Sequence, residues 1–397
     1  MAEIVVSTRG HQPAVASFQG THWLVVWADP DQAAIKGRVF FAGSETGGTE
    51  FVVNASQEPN TVRQRPAVCN VGDGLVAVWV EAALTPPGPR PQIKARRFDR
   101  DGRPVGTDIQ VSLSDVDPTS RPAVTASGDG GFIVTWIDPR PDQRVQTRRF
   151  RPDGMSGGSA FTLSQTPGFH KDPMAIQLVV PTGTAVGATG LRAWGRDPAS
   201  VEGPNLMFRF VDHDATPVDR EIIYNLQGFR DEGEVSALCA LDTGQFVLGH
   251  IRHRDNHPEP GVVKTSTVEW RVYQSDGKPI EPSGIEGADR LLCSCPRLTA
   301  LPAGRFLLTW IQKSATTVDT TPIVRGRLYS VNGLSLPEAV TLTDDSAPDR
   351  RGLAAGAIFD GDAGEAVLLA WTEVDRNGAS SVQGRTVRFG PSGEVIP

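Results

Sequence analysis

Short hydrophobic runs recur along the whole chain, and six of them end in tryptophan: Trp27, Trp79, Trp136, Trp194, Trp310 and Trp371. Runs such as Trp23-Leu24-Val25-Val26-Trp27 and Phe132-Ile133-Val134-Thr135-Trp136 are β-branched and aromatic. That composition predicts a strand buried on both faces. Upstream lies Pro-Ala-Val (13–15, 66–68, 122–124) or Pro-Arg-Leu (296–298), followed by a Gly-containing turn such as 128–131. Downstream comes an aliphatic residue, two further residues and an arginine: Arg38, Arg96, Arg148, Arg209, Arg271, Arg327 and Arg385. A turn such as Asp99-Arg100-Asp101-Gly102 then leads into a fourth run, as at 50–53, 108–111 and 339–342. The pattern predicts units of four strands, A to D, joined by hairpins. No stretch carries a helical period.

The arginines are spaced by 58, 52, 61, 62, 56 and 58 residues. This period is too long for ankyrin or leucine-rich repeats and close to that of propeller blades. The last unit reaches the turn 390–393 and stops without a full strand D, whereas Glu3 to Thr8 matches the D pattern. The expected fold is therefore all-β: a seven-bladed β-propeller of four-stranded antiparallel blades. An N-terminal strand completes its last blade and removes the exposed sheet edges. Residues 1–397 are read as one domain, because the repeat overrides a division by length.

Composition narrows the function classes. Gly 42 and Pro 31 against 39% hydrophobic residues is the balance of a turn-rich all-β protein. A net charge of −7 argues against a nucleic-acid partner. No run approaches the ~20 apolar residues of a membrane span, so no membrane partner is expected. The first residues lack a basic segment followed by an apolar one, which makes a cytoplasmic location the expectation. Cys69 and Cys239 hold the register of Ala16, Thr125 and Thr299, as packed core does. Cys293 and Cys295 would share a face of an extended strand, but they lack the second pair of a zinc site. Asp99 to Gly102 begins like a calcium loop, yet it sits where other units carry plain turns. No metal and no cofactor is expected.

Candidate chemistry lies where the repeat breaks. An arginine present in every unit has a structural job: stacking on the strand B tryptophan or bonding to blade-edge carbonyls. Unit five instead has His250 in the tryptophan position, followed by the longest B–C connection, 18 residues to Val268 against 8 from Trp27 to Ile35. That connection holds His253, Asp255, His257 and Glu259. With His250 they form the candidate acid–base set. On the same face, Arg65, Arg121, His170, Arg230 and Arg350 precede strands A, with His11 beside them. Because strand A is innermost, these residues are expected to ring the channel mouth and bind an anionic or carbonyl-bearing ligand.

The unit Pro-Ala-Val, Gly-Asp-Gly-Gly-Phe-Ile-Val-Thr-Trp, Arg-Arg-Phe and Asp-Gly resembles repeats of bacterial propellers that accompany calcium-binding nonapeptide domains. Among them are alkylating enzymes that build cylindrocyclophane-type natural products. The resemblance implies a propeller and a biosynthetic activity. It transfers no catalytic residue, and the nonapeptide repeats themselves are missing from this sequence. The reading is a small-molecule-processing enzyme, such as a cyclase, lyase or alkylating transferase, with one site at the channel mouth. Two alternatives stand beside it. A carbohydrate-binding propeller lectin would repeat its pocket between blades. An interaction scaffold would present apolar loop tips such as 84–89. No nucleophile elbow, zinc signature, phosphate loop or dinucleotide fingerprint names a reaction.

Overall fold

A computed structural model describes residues 3–396 except 45, 85–89, 141–143, 166–168, 172, 181–182, 189–190, 195–204, 213–215, 219, 226–235, 255–264, 288–290, 316–320, 332–337, 344–348, 361–363 and 391–394. The chain is all-β, and its sheets are antiparallel blades of a propeller. In unit one, His11–Phe18, His22–Asp29, Ala34–Phe41 and Phe51–Val52 pair in the order A-B-C-D. Units two, three, five and six repeat this order. In the last unit Asp349–Asp360, Gly364–Val374 and Ser380–Phe389 form A to C, and Ile4–Ser7 supplies the outer strand. The C-terminal Val395–Ile396 pairs with the far end of the same strand C.

Unit four departs from the pattern, and the expected seven blades are corrected to six. Its strands divide between two sheets, one of Phe169–Lys171, Leu191–Trp194, Asn205–Phe208 and Ile222–Asn225, the other of Ala175–Val180, Gly183–Ala188 and Phe210–Val211. Glycines at 183, 187 and 190 crowd the stretch that should be one continuous strand B. Glycine adds no packing side chain and weakens a strand interior, so the run breaks before Trp194. The innermost strand of the three-stranded sheet, Ala175–Val180, packs against strands A of units three and five and keeps the ring continuous.

Period-two alternation explains why the B strands are apolar throughout. Trp23, Val25 and Trp27 face unit seven, whereas Leu24, Val26 and Ala28 face unit two. Every hydrophobic cluster joins two successive units, including one that joins Ile4 and Val6 to units one and seven. Trp27, Trp79, Trp136, Trp310 and Trp371 are all buried against the preceding unit. Cys293 and Cys295 do not share a face. A bulge between Ser294 and Arg297 turns Cys293 toward unit five and Cys295 toward unit seven.

The repeated arginine clasps neighbouring units. Nη1 of Arg38 donates to Val6 O at 3.0 Å, that of Arg96 to Val53 O at 3.1 Å and that of Arg148 to Val111 O at 2.9 Å. Arg209 reaches Leu163 O in the same way, and Arg385 reaches Leu342 O. Each acceptor is the carbonyl at the end of the preceding strand D. The next residue then caps the following strand C of its own unit: Ile35 N donates to Asn54 Oδ1, Ile93 N to Ser112 Oγ and Val324 N to Thr343 Oγ1. At Asp99, the backbone amides of Asp101 and Arg103 donate to the side-chain Oδ1, both at 2.9 Å, which makes the segment a hairpin turn.

Two outcomes test this account. Deleting residues 1–8 removes buried Ile4 and Val6 and should cost about 3–6 kcal/mol, at ~1.5–3 kcal/mol per buried aliphatic side chain. An unchanged denaturation midpoint would contradict closure by this strand. Trp136→Ala should cost ~3–5 kcal/mol as a large-to-small core change. Arg96→Met should cost less, ~1–3 kcal/mol, for a carbonyl left without its donor.

Candidate functional site

Strand A is the inner edge of each blade, and four of the seven units distort it at the same place. Gln12, Arg65, Cys295 and Gly352 have φ of 55°, 54°, 50° and 59°. Each lies in a bulge that gives strand A one residue more than strand B. Proline follows at positions 13, 66 and 296. Having no N–H, it suits an edge strand that must not recruit a further strand. The bulges are stitched around the mouth by hydrogen bonds. Gln12 N donates to Thr372 Oγ1 at 3.0 Å and Arg65 N to Gln12 Oε1 at 2.8 Å. Nη1 of Arg65 continues to Pro118 O and, at 3.3 Å, to Ser120 O.

These strands enclose a cavity of about 320 Å³ on the ring axis, to which all seven repeat units contribute. Its charged lining is Arg65, Arg121 and Arg297, and Gln12 adds an amide. The rest is proline, alanine, valine, leucine, methionine and glycine, with no acid, histidine or aromatic residue among the described lining. Arg65 is held by the two carbonyls above, and Arg297 Nη1 donates to Pro296 O at 2.8 Å. With Gln12 Oε1 engaged by Arg65 N, its NH₂ is the end offered to the cavity. Every polar side-chain group here is therefore a donor set.

Arg65 and Arg121 thus sit where the sequence placed them. Arg297 was missed, although its signal was visible: Pro-Arg-Leu stands where other units have Pro-Ala-Val. Arg350 is buried in the blade wall, with Nε donating to Glu373 Oε1 at 3.1 Å and Nη1 to Pro322 O at 2.8 Å. Arg63 makes the same joint in unit two, to Glu81 Oε2 and Ala33 O, both at 2.7 Å. His11 is half-buried opposite Ala28, outside the cavity lining. Burial lowers its pKa against the pull of Asp29. His170 pairs with Ala193 in its strand. Arg230, Asp255, His257 and Glu259 lie outside the described residues. His253 belongs to a strand, not to a loop, since Phe246–Arg254 extends past it and pairs it with Ser266.

His250 is buried and lies opposite Glu269 on strand C. Its Nε2 is 3.5 Å from Glu269 Oε2, and Arg252 Nη1 donates to Glu269 Oε1 at 2.8 Å. In units two and seven the acid stands two residues after tryptophan, as Glu81 and Glu373, and unit two has Lys94 opposite that tryptophan. Unit five exchanges the two positions: basic groups on strand B, the acid on strand C. The missing indole reappears as Trp270 on strand C, packed over Gly284, where an added Cβ would lie 2.7 Å from the ring. Burial alone would raise the Glu269 carboxyl, but bonds from His250 and Arg252 hold it at about 2. A depressed carboxylate stabilises the fold above its ordinary pKa of 4.5, and that contribution is lost as pH falls toward about 2. Glu269→Gln should therefore be less stable than wild type at pH 7 in urea denaturation. The gap should close as pH drops below 4.5; a gap independent of pH would contradict the ion pair.

No protein-family model matches the chain, and no curated protein matches it. At sequence level nothing supports the natural-product alkylating group that the repeats resemble. Solved structures are similar in fold. An ulvan lyase, described as a polysaccharide lyase, aligns with TM-score 0.58 at 9% identity over 98% of this chain and 96% of its own. It is also solved bound to a GlcA(1-4)Rha3S saccharide. The α-L-arabinofuranosidase of Fusarium graminearum aligns with TM-score 0.51 at 10% identity over 98% of both chains. The α-L-arabinanase of Penicillium chrysogenum, complexed with arabinobiose, gives 0.50 at 11% identity over 100% of this chain and 99% of its own. These likenesses establish the propeller fold alone. Among the described residues no helix is long and apolar enough to cross a membrane.

Proposed function

We propose that this propeller binds a small organic anion at the mouth of its channel, its charged end held by Arg65, Arg121 and Arg297. The observation that carries the reading is the convergence of three guanidinium groups on one cavity whose described lining holds no carboxylate. In a chain of net charge −7, such local positive charge draws an anion. At about 320 Å³ the cavity stands at the low end of ligand pockets, which run roughly 300–1,000 Å³. Carbohydrate-active neighbours of the same fold make an acidic saccharide one member of this ligand class. A lectin with one pocket per blade is less well supported, because the positions between blades are filled by the tryptophans and the clasping arginines.

A catalytic form of the reading assigns acid–base work to His253, Asp255, His257 and Glu259. What favours it is the length of the unit five hairpin. Its strand B runs four residues past His250, whereas that of unit one ends two past Trp27. The longer hairpin carries 255–264 beyond the blade edge on the side of the mouth. On this form, His253→Ala/His257→Ala abolishes turnover of a bound acid while leaving its affinity unchanged. Loss of affinity instead would place these histidines in binding.

Isothermal titration with glucuronate and benzoate, using their methyl esters as neutral controls, tests the anion reading. At least one acid should bind, and its ester more weakly. Arg121→Met or Arg297→Met should lower its affinity about 10- to 100-fold, since a charge-assisted hydrogen bond contributes ~1.5–3 kcal/mol. Equal binding of acid and ester would end the proposal.

A further inference from the structure

From the donor-only chemistry of the channel mouth we infer that its ligand is a compact carboxylate with an apolar body, and not a saccharide. The inference rests on the anion-binding reading and names the ligand class within it.

The side-chain groups that can reach a ligand are three guanidinium groups and the NH₂ of Gln12. All of them donate. They match a carboxylate, which only accepts, and a guanidinium can meet it with two parallel bonds. A saccharide makes the opposite demand. Each hydroxyl carries a proton that needs an acceptor once water is excluded, and a buried hydroxyl without one loses its hydration uncompensated. The described lining has no Asp, Glu, Asn, Ser or Thr to accept it. Three carbonyls at the rim, those of Pro118, Ser120 and Pro296, are already engaged by Arg65 and Arg297. No aromatic face is present in the described lining for a sugar ring to stack on.

Below the arginines the wall turns aliphatic. In units one and two it descends from Gln12 to Val15 and from Arg65 to Val68, and Leu238 and Leu298 add to it. Four residues of strand span about 10 Å at ~3.3 Å each. Such a pit accommodates one ring beneath the carboxylate, or a short branched chain. Burial of that body against the aliphatic wall supplies affinity in proportion to the apolar area removed from water.

The test uses the full-length protein and ligands that share ring size and charge. Cyclohexanecarboxylate and glucuronate are each titrated into wild type by calorimetry, with cyclohexanol as the uncharged control. The expected result is that cyclohexanecarboxylate binds about tenfold or more tighter than glucuronate, because the sugar hydroxyls stay unpaired. Glucuronate binding as tightly, or tighter, would overturn the apolar ligand class and leave the anion site standing. Cyclohexanol matching cyclohexanecarboxylate, or neither acid binding, would overturn the anion site and the inference with it.

Discussion

The ring depends on one contact made from unit to unit, the strand C guanidinium donating to the carbonyl that ends the preceding strand D. Because the acceptor is backbone, the residue carrying it is free to vary, and Val6, Val53, Val111, Leu163 and Leu342 all serve. A buried guanidinium is costly unless its donors are matched, so each clasp fixes the distance between two units as well as joining them. The N-terminal strand enters the same scheme through Val6, which makes closure of the ring another instance of the repeat. One joint differs. Arg327 donates to the buried carboxylate of Glu286 at 2.8 Å, and Tyr329 bonds to the same oxygen. Burial and the neighbouring Glu286 push the Tyr329 hydroxyl pKa up, so the phenol stays protonated as a donor.

A frame held at its blade interfaces leaves the axis free to diverge. The inner strands repeat a bulge, but the residue it turns toward the channel is glutamine, arginine, cysteine or glycine. One frame thus carries a site that occurs once. The arginines gather where no blade contact requires them, whereas Arg63 and Arg350, only two positions before the bulge, are consumed by the blade wall.

Much of the frame was legible in the sequence, because tryptophan, arginine and the strand D ending recur at a fixed order. The fourth unit was not: its tryptophan and arginine are in place, yet glycines break the strand between them. Legibility at the mouth was uneven for a geometric reason. Arg63 and Arg65 look alike in sequence, and only the left-handed bulge at Arg65 sends one to the cavity and the other to Glu81. The same effect separated Cys293 from Cys295. His250 announced itself as a break in the repeat, but its partner Glu269 lies 19 residues on and becomes visible only through strand register. That pairing reads as a charge exchange within a blade, so the anomaly marks a rearranged frame before it marks a reaction.

The central claim is that the arginines at the axis form a single anion site above an aliphatic pit. Crystals soaked with 4-bromobenzoate test it most directly, since anomalous scattering from bromine locates the ring and its direction. The account predicts one bromine in the channel, with the carboxylate against Arg121 and Arg297. Bromine density recurring between blades, or an axis left empty at saturating ligand, would contradict it.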